Sequence, residues 1–416
     1  MKKMTWMLLI LSLAFFACEE EDKTDVEATF DSFDIQTVMS VATAADANPE
    51  IIRMVPDEDN RAVFVASATK QLFPITYTAD NFSIDTPVNL SITASNEEAT
   101  SIDVSRKIDG VNYVAVCIAT TDCTPGAVIF VNFQTGAIAK RVDGIGFNPD
   151  GMAFTKDGQY LIVACEDDRE DRSCKPADRN GGSVSIIDLT NGIANATLAQ
   201  DYKVDYATDS EPEHAETNAN GDVVVSVQET SDVLVFNVSD LPLEDADVTI
   251  VHQPNDAGDN EAEPDGLFIS PDGSLALISN ERNGTFQIMD IASKTMLGTP
   301  YTVENDLPSG WYRDTDKSTK RTEPEEAFLV ARDGKLYALL ALQEAHAVIV
   351  YDVTDPAAPV FDSIAEAGLH PELDVEGESE SNIGAEGLSA HPTNGVVFSA
   401  NEREGTVTMY TAVWAR

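Results

Sequence analysis

Glu263-Pro-Asp-Gly-Leu-Phe-Ile-Ser-Pro-Asp-Gly-Ser-Leu-Ala-Leu-Ile-Ser-Asn-Glu-Arg-Asn-Gly-Thr-Phe-Gln-Ile-Met289 decides the fold. An acid opens a short apolar strand, Pro271-Asp-Gly turns the chain, a second strand follows, and Asn280-Glu-Arg-Asn-Gly turns it again into a third. Pro presets φ at one corner of such a turn and Gly accepts positive φ at the next. Three strands in so few residues, with no 3.6-residue periodicity, predict antiparallel β-structure.

The same grammar recurs along the chain. Lys156-Asp-Gly precedes Tyr160-Leu-Ile-Val-Ala, Asn220-Gly precedes Val223-Val-Val-Ser-Val, and Arg332-Asp-Gly precedes Leu336-Tyr-Ala-Leu-Leu. Acids open strands at Glu50, Glu98, Asp150, Glu213, Asp265, Glu325 and Glu386, most of them directly after proline. Their spacing suits one three- or four-stranded unit per interval, the mark of an all-β, seven-bladed β-propeller. The last unit is one strand short. The alternating stretch Phe33-Asp-Ile-Gln-Thr-Val, within 28–41, is expected to supply it, closing the ring and hiding two sheet edges. Residues 28–416 are therefore read as a single seven-bladed domain.

Residues 1–17 have the pattern of a lipoprotein signal peptide: Lys2-Lys3, an apolar run from Trp6 to Phe16, then Ala17 before Cys18. The run is too short to span a bilayer. Cys18 is the expected lipidation site, and 18–27, with the acidic run Glu19 to Asp22, the lipidated tether. An outer-membrane lipoprotein facing the periplasm or the cell surface is expected, attached to the membrane through its N-terminal lipid.

The chain carries 72 acidic residues against 26 Lys and Arg, a net charge of −46. That balance repels nucleic acid and anionic headgroups and attracts cations. Five units carry a second acid after their second strand: Glu166, Glu229, Glu281, Glu344 and Glu402. A blade runs out along its innermost strand and back along the next, so both acid series should rim one mouth of the central channel. Crowded carboxylates raise one another's pKa unless cations neutralise them. Asp150, Glu166, Glu213, Glu229, Asp265, Glu281, Glu325, Glu344, Glu386 and Glu402 are thus candidate metal ligands. Calcium suits all-oxygen donors, although no EF-hand pattern occurs. The same carboxylates would also serve as acceptors for backbone N–H groups at blade starts.

Arg282 and Arg403 follow two of these acids and are candidate rim contacts, as are His214 and Trp311. Long insertions at Glu166 to Gly182, Asn191 to Ser210, Gln253 to Glu261, Glu304 to Thr322 and His370 to Gly384 are expected on the same face, where binding loops cluster. Cys117, Cys123, Cys165 and Cys174 form an even set, read as two local disulfides, Cys117–Cys123 and Cys165–Cys174. No nucleophile elbow, phosphate loop or zinc-peptidase motif appears, so no catalytic residue, nucleotide or redox cofactor is assigned.

Asn148-Pro-Asp-Gly-Met-Ala-Phe-Thr-Lys-Asp-Gly-Gln-Tyr-Leu-Ile-Val-Ala-Cys-Glu166 followed by Gly182-Ser-Val-Ser-Ile-Ile-Asp-Leu resembles the central signature of the bacterial choice-of-anchor I family, secreted propellers related to YVTN-type repeats. The resemblance continues through Glu211-Pro-Glu with Gln228-Glu229, Glu323-Pro-Glu with Ala347 to Val360, and Ala385-Glu-Gly-Leu with Ala400-Asn-Glu402. It implies a surface-anchored propeller, with Cys18 as one choice of anchor, and no settled activity. Cys165 and Cys174 around the insertion, and His214 in place of an aromatic residue, depart from it. The function expected is a monomeric, calcium-assisted module binding a protein, glycan or metal-bridged ligand. The alternative is a calcium-dependent hydrolase of the phosphoesterase or phytase-like propeller type.

Overall fold

The structure, a computed structural model, describes residues 33–43, 47–122, 124–166, 182–204, 206–207, 210–253, 262–308, 322–369 and 384–414. Cys18 with the signal and tether, Cys123, Cys174, Trp311, and most of four expected insertions lie outside the described residues.

Seven antiparallel sheets form a seven-bladed propeller, and among the described residues the only helical segments are three short 3-10 turns. The innermost strands of blades 1 to 7 are Pro49–Met54, Glu97–Val104, Pro149–Phe154, Pro212–Thr217, Pro264–Ile269, Pro324–Arg332 and Ala385–Ala390. Each touches the next, and the first touches the last, so the ring is closed. Closure comes from the N-terminal strand Phe33–Ala42, which pairs antiparallel with Thr406–Trp414 as the outermost strand of blade 7. It is also fastened to blade 6: the Phe33 N–H donates to Asp362 Oδ1 at 2.9 Å, and Ser363 Oγ donates to the Phe33 carbonyl at 2.7 Å.

The second strands are almost wholly apolar, as in Leu161-Ile-Val-Ala-Cys165 and Val223-Val-Val-Ser-Val227, because both faces of each blade are covered by neighbours. Seven buried clusters result, one at every interface between blades, in place of a single core. The turns behave as their residues dictate. Asp272 Oδ1 accepts from the Ser274 N–H at 3.1 Å while Gly273 takes φ 79°.

Two expectations change. The segment Asn191 to Ser210 is not a long loop: it holds a 3-10 turn, Ile193–Asn195, and the strand Thr197–Lys203 that completes blade 3. Cys117 and Cys165 are free thiols rather than members of disulfides. Both are fully buried in the cluster between blades 2 and 3, where burial pushes Cys117 well up and Cys165 up to about 12. Such thiols are inert apolar filling.

Candidate metal centre at the channel mouth

Each inner strand begins with the same local device. Its opening residue pairs with the last residue of the second strand, as in Pro149 with Cys165, Pro264 with Asn280 and Ala385 with Asn401. The register then slips by a β-bulge, within which or beside which the acid sits. A bulge re-aims a side chain that regular pleating would send elsewhere. The residue before the opener is left-handed at Asn48, Asn148, Glu263 and Glu323, with φ between 43° and 47°. Non-glycine residues hold that conformation only where surrounding structure imposes it, commonly at functional sites.

The imposing contact is repeated. The carbonyl of the left-handed residue accepts the N–H of the residue that follows the second strand: Glu166 to Asn148 at 3.1 Å, Glu281 to Glu263 at 2.9 Å, and Glu402 to Gly384 at 3.0 Å. This bond places the second acid beside the first. In blades 4 and 6 the position belongs to Gln228 and Gln343, bonded to the Glu211 and Glu323 carbonyls, and the acids Glu229 and Glu344 stand one residue later. The second series therefore divides by a single step of register.

Blades 3, 5 and 7 consequently form carboxylate triplets with the blade that follows each: Asp150 and Glu166 with Glu213; Glu281 with Glu323 and Glu325; Glu386 and Glu402 with Glu50. Within each triplet one oxygen per residue lies within 4.8 Å of the others. Calcium binds oxygen at 2.3–2.6 Å, so two ligands on opposite sides of one ion stand about 5 Å apart, and the triplets match that span. With no imidazole or thiolate among the donors, a hard cation is favoured. Asp265 completes the ring between Glu213 and Glu325, near Glu281. Glu98 adds its field to that of Glu50.

Burial and mutual repulsion show in the ring's protonation. Glu50 is pushed up to about 8 by burial and by Glu402, and Asp150 to about 7 by burial. Burial, reinforced by acidic neighbours, holds Glu213, Asp265, Glu325 and Glu386 well above the ordinary carboxylate range. One oxygen of Glu386 is buried with no hydrogen-bond partner. The triplets are held from outside by amides: Asn148 Nδ2 donates to Glu166 at 2.6 Å and Gln228 Nε2 to Glu281 at 2.6 Å.

Not every expected ligand joins. Glu229 is exposed, and Glu344 pairs with Arg403 of blade 7 at 2.7 Å. Arg282 pairs with Glu263, outside both acid series. Glu323 and the two glutamines were missed by counting acids. Counting from the end of each second strand finds Gln228 and Gln343 in the place of an acid.

One residue beyond the ring acids the inner strands pack closely. Gly151, Gly266 and Gly387 lie where a Cβ would overlap the carbonyls of Glu213, Glu325 and Glu50, so neighbouring strands meet backbone to backbone. His214 occupies the same level in blade 4 and is 7% exposed. Burial and nearby Arg53 push it down to about 4, so it is neutral at neutral pH and no reservoir of protons for the rim. Glu326, in the equivalent position of blade 6, is paired with Arg53 of blade 1 at 2.8 Å.

A seven-bladed propeller whose one channel mouth is ringed by half-buried and buried carboxylates is the class these features define. The profile of the choice-of-anchor I domain matches residues 50–299, and the chain belongs to that family. A comparison with curated protein sequences found no match. Among solved structures, a hydrazine synthase chain of Kuenenia stuttgartiensis aligns with TM-score 0.57 at 14% identity, covering 90% of this chain and 98% of its own. A catalytically inactive variant of virginiamycin B lyase from Staphylococcus aureus, with quinupristin, aligns with TM-score 0.58 at 11% identity over 90% and 99%. The C-terminal WD40 domain of Sif2 gives 0.54 at 10% over 92% and 99%. Likeness at this identity shows the propeller fold alone.

Proposed function

We propose that the protein is a calcium-binding propeller module, anchored in the outer membrane through a lipid on Cys18, that presents its acid-ringed, loop-bearing face to a ligand bridged by the bound metal. The observation that carries this is the convergence of three carboxylate triplets, each of calcium-ligand span, from strands of adjacent blades. A structural role for each acid alone would be met by a backbone N–H. It would not require carboxylates to crowd until burial and repulsion keep them protonated. Divalent cations relieve that crowding, and the rim's remaining coordination positions then become the ligand site. The anchor rests on Lys2-Lys3, the apolar run and Cys18.

The test is calcium uptake by the full chain after chelation, followed by isothermal titration and thermal melting. Uptake with a raised melting temperature is expected, weakened in the triple variant Glu213→Gln, Asp265→Asn, Glu325→Gln. No bound calcium and no stability change on chelation would sink the proposal. Assay of the same samples on phosphate and sugar esters reads the hydrolase alternative: calcium-dependent turnover lost in the triple variant would replace the binding module with an enzyme.

A further inference from the structure

The outer edge of the same face carries a second constellation between blades 3 and 4. In blade 4, Asp232 is opposite His252 and Leu234 opposite Ile250 across the two outermost strands, Asp232–Asn237 and Thr249–His252. Residues two apart on paired strands share a face, so these four side chains line one surface. The end of the outer strand of blade 3 faces them with Tyr202 and the following residues. Between the two lies a cavity of about 150 Å³.

Its floor is apolar: Val204 and Leu234 are buried, and Ile250 remains 45% exposed. Tyr206, 42% exposed, forms one wall and Tyr202 another. Two of the six large exposed hydrophobic side chains among the described residues thus meet in one groove. The polar groups around this floor are fixed in place. Asp232 is only 5% exposed, and its two oxygens are both engaged: Tyr206 Oη donates to one at 2.9 Å, and His252 Nδ1 lies 2.9 Å from the other. The His252 side chain is nevertheless 61% exposed, so a buried carboxylate orients an imidazole whose other edge faces outward. Across the cavity, Tyr202 Oη donates to Asp245 Oδ1 at 3.3 Å, and Lys203 is neutralised by Asp201 at 2.6 Å.

We propose that this groove is a carbohydrate subsite, independent of the metal centre, that takes one neutral sugar ring of a glycan. A cavity of about 150 Å³ accommodates a single six-membered ring. The ligand must offer an apolar face to the tyrosines and the Leu234–Ile250 floor, and hydroxyls around its edge to Asp245 and the phenol oxygens, with His252 outside the lining, next to it at the end of the Ile250 strand. A pyranose has both. An anionic ligand is opposed by Asp232 and Asp245, since Lys203 is already paired. A purely aromatic group would fill the floor while leaving the fixed polar fence unused.

The experiment titrates the full chain with the methyl glycosides of glucose, galactose and mannose and with N-acetylglucosamine, followed by saturation-transfer and protein-observed NMR, with p-cresol as an aromatic control. At least one sugar is expected to bind with Kd in the millimolar range, as suits a single ring held by few contacts. Tyr206→Ala and His252→Ala should each weaken it 10-fold or more; because each also removes one of the two bonds to buried Asp232, a lowered melting temperature is expected, and binding is compared well below it where both variants are folded. Chelation and Glu213→Gln should leave it unchanged, so that failure here is separate from failure of the metal centre. No binding by any sugar, binding unaltered in both variants, or binding of p-cresol alone would overturn the assignment.

Discussion

In calcium-free buffer, raising the pH from about 5.5 to about 8 is expected to destabilise the protein. The native ring binds protons that the unfolded chain has already released, and where the native state binds more protons, stability falls as pH rises. Glu50 has its native pKa raised from 4.5 to about 8, first by burial and then by Glu402. Its contribution is therefore complete below about pH 4.5 and is lost as pH rises through about 8. Integrating between the two conditions gives about 3 kcal/mol for Glu50 taken alone. Asp150, raised from 3.8 to about 7, adds about 2 kcal/mol by the same relation. Unfolding entropy of roughly 2.1 cal/mol/K per residue makes about 5 kcal/mol worth about 6 °C in a propeller of this size. Differential scanning calorimetry at both pH values, with and without calcium, reads this directly. Calcium should displace the ring's protons and flatten or reverse the slope. High salt should leave the apo slope in place, because repulsion among surface acids is screened and ring burial is not. Glu50→Gln should reduce the slope, and Glu229→Gln, on an exposed acid, should not. Apo stability that is flat or rising over this window, or a slope indifferent to calcium, would refute the reasoning.

Three further outcomes follow from single contacts. Arg53→Met leaves Glu326, whose side chain is 5% exposed, buried without its partner; a loss of about 3–5 kcal/mol is expected in chemical denaturation, with much of it recovered in the Arg53→Met, Glu326→Leu double variant. Phe33→Ala empties a fully buried site on the closing strand, against Tyr337 at 5.3 Å between ring centroids; a loss of about 3–5 kcal/mol, with aggregation near the melting temperature as the blade 7 edge opens, should appear in melting and light-scattering curves. Cys117 and Cys165 should resist iodoacetamide in the native protein and react once it is denatured, as mass spectrometry of the alkylated peptides would show.

The sequence by itself determined the propeller, its seven blades and its closure. Each of these depends on local chemistry repeated often enough to count: Asp-Gly turns, apolar second strands, an acid at every inner start, and an alternating N-terminal segment with an unpaired edge to fill. It also placed both acid series at one mouth, because strand direction follows from connectivity. Tertiary structure decided which acids meet. Glu166, Glu281 and Glu402 are bonded through their N–H groups beside the blade openers, whereas Glu229 and Glu344 stand one residue later, behind Gln228 and Gln343. On a strand end, one residue turns a side chain to another side, a difference too small for spacing to reveal. Arg403 reaching Glu344 of the preceding blade, Glu323 joining the triplet of Glu281 and Glu325, and Asp232 joining His252 to Tyr206 likewise unite residues up to 59, 44 and 46 positions apart in the chain, brought together by the pairing of strands and the ring of blades. Proximity of that kind is a property of the closed ring, and no local pattern encodes it.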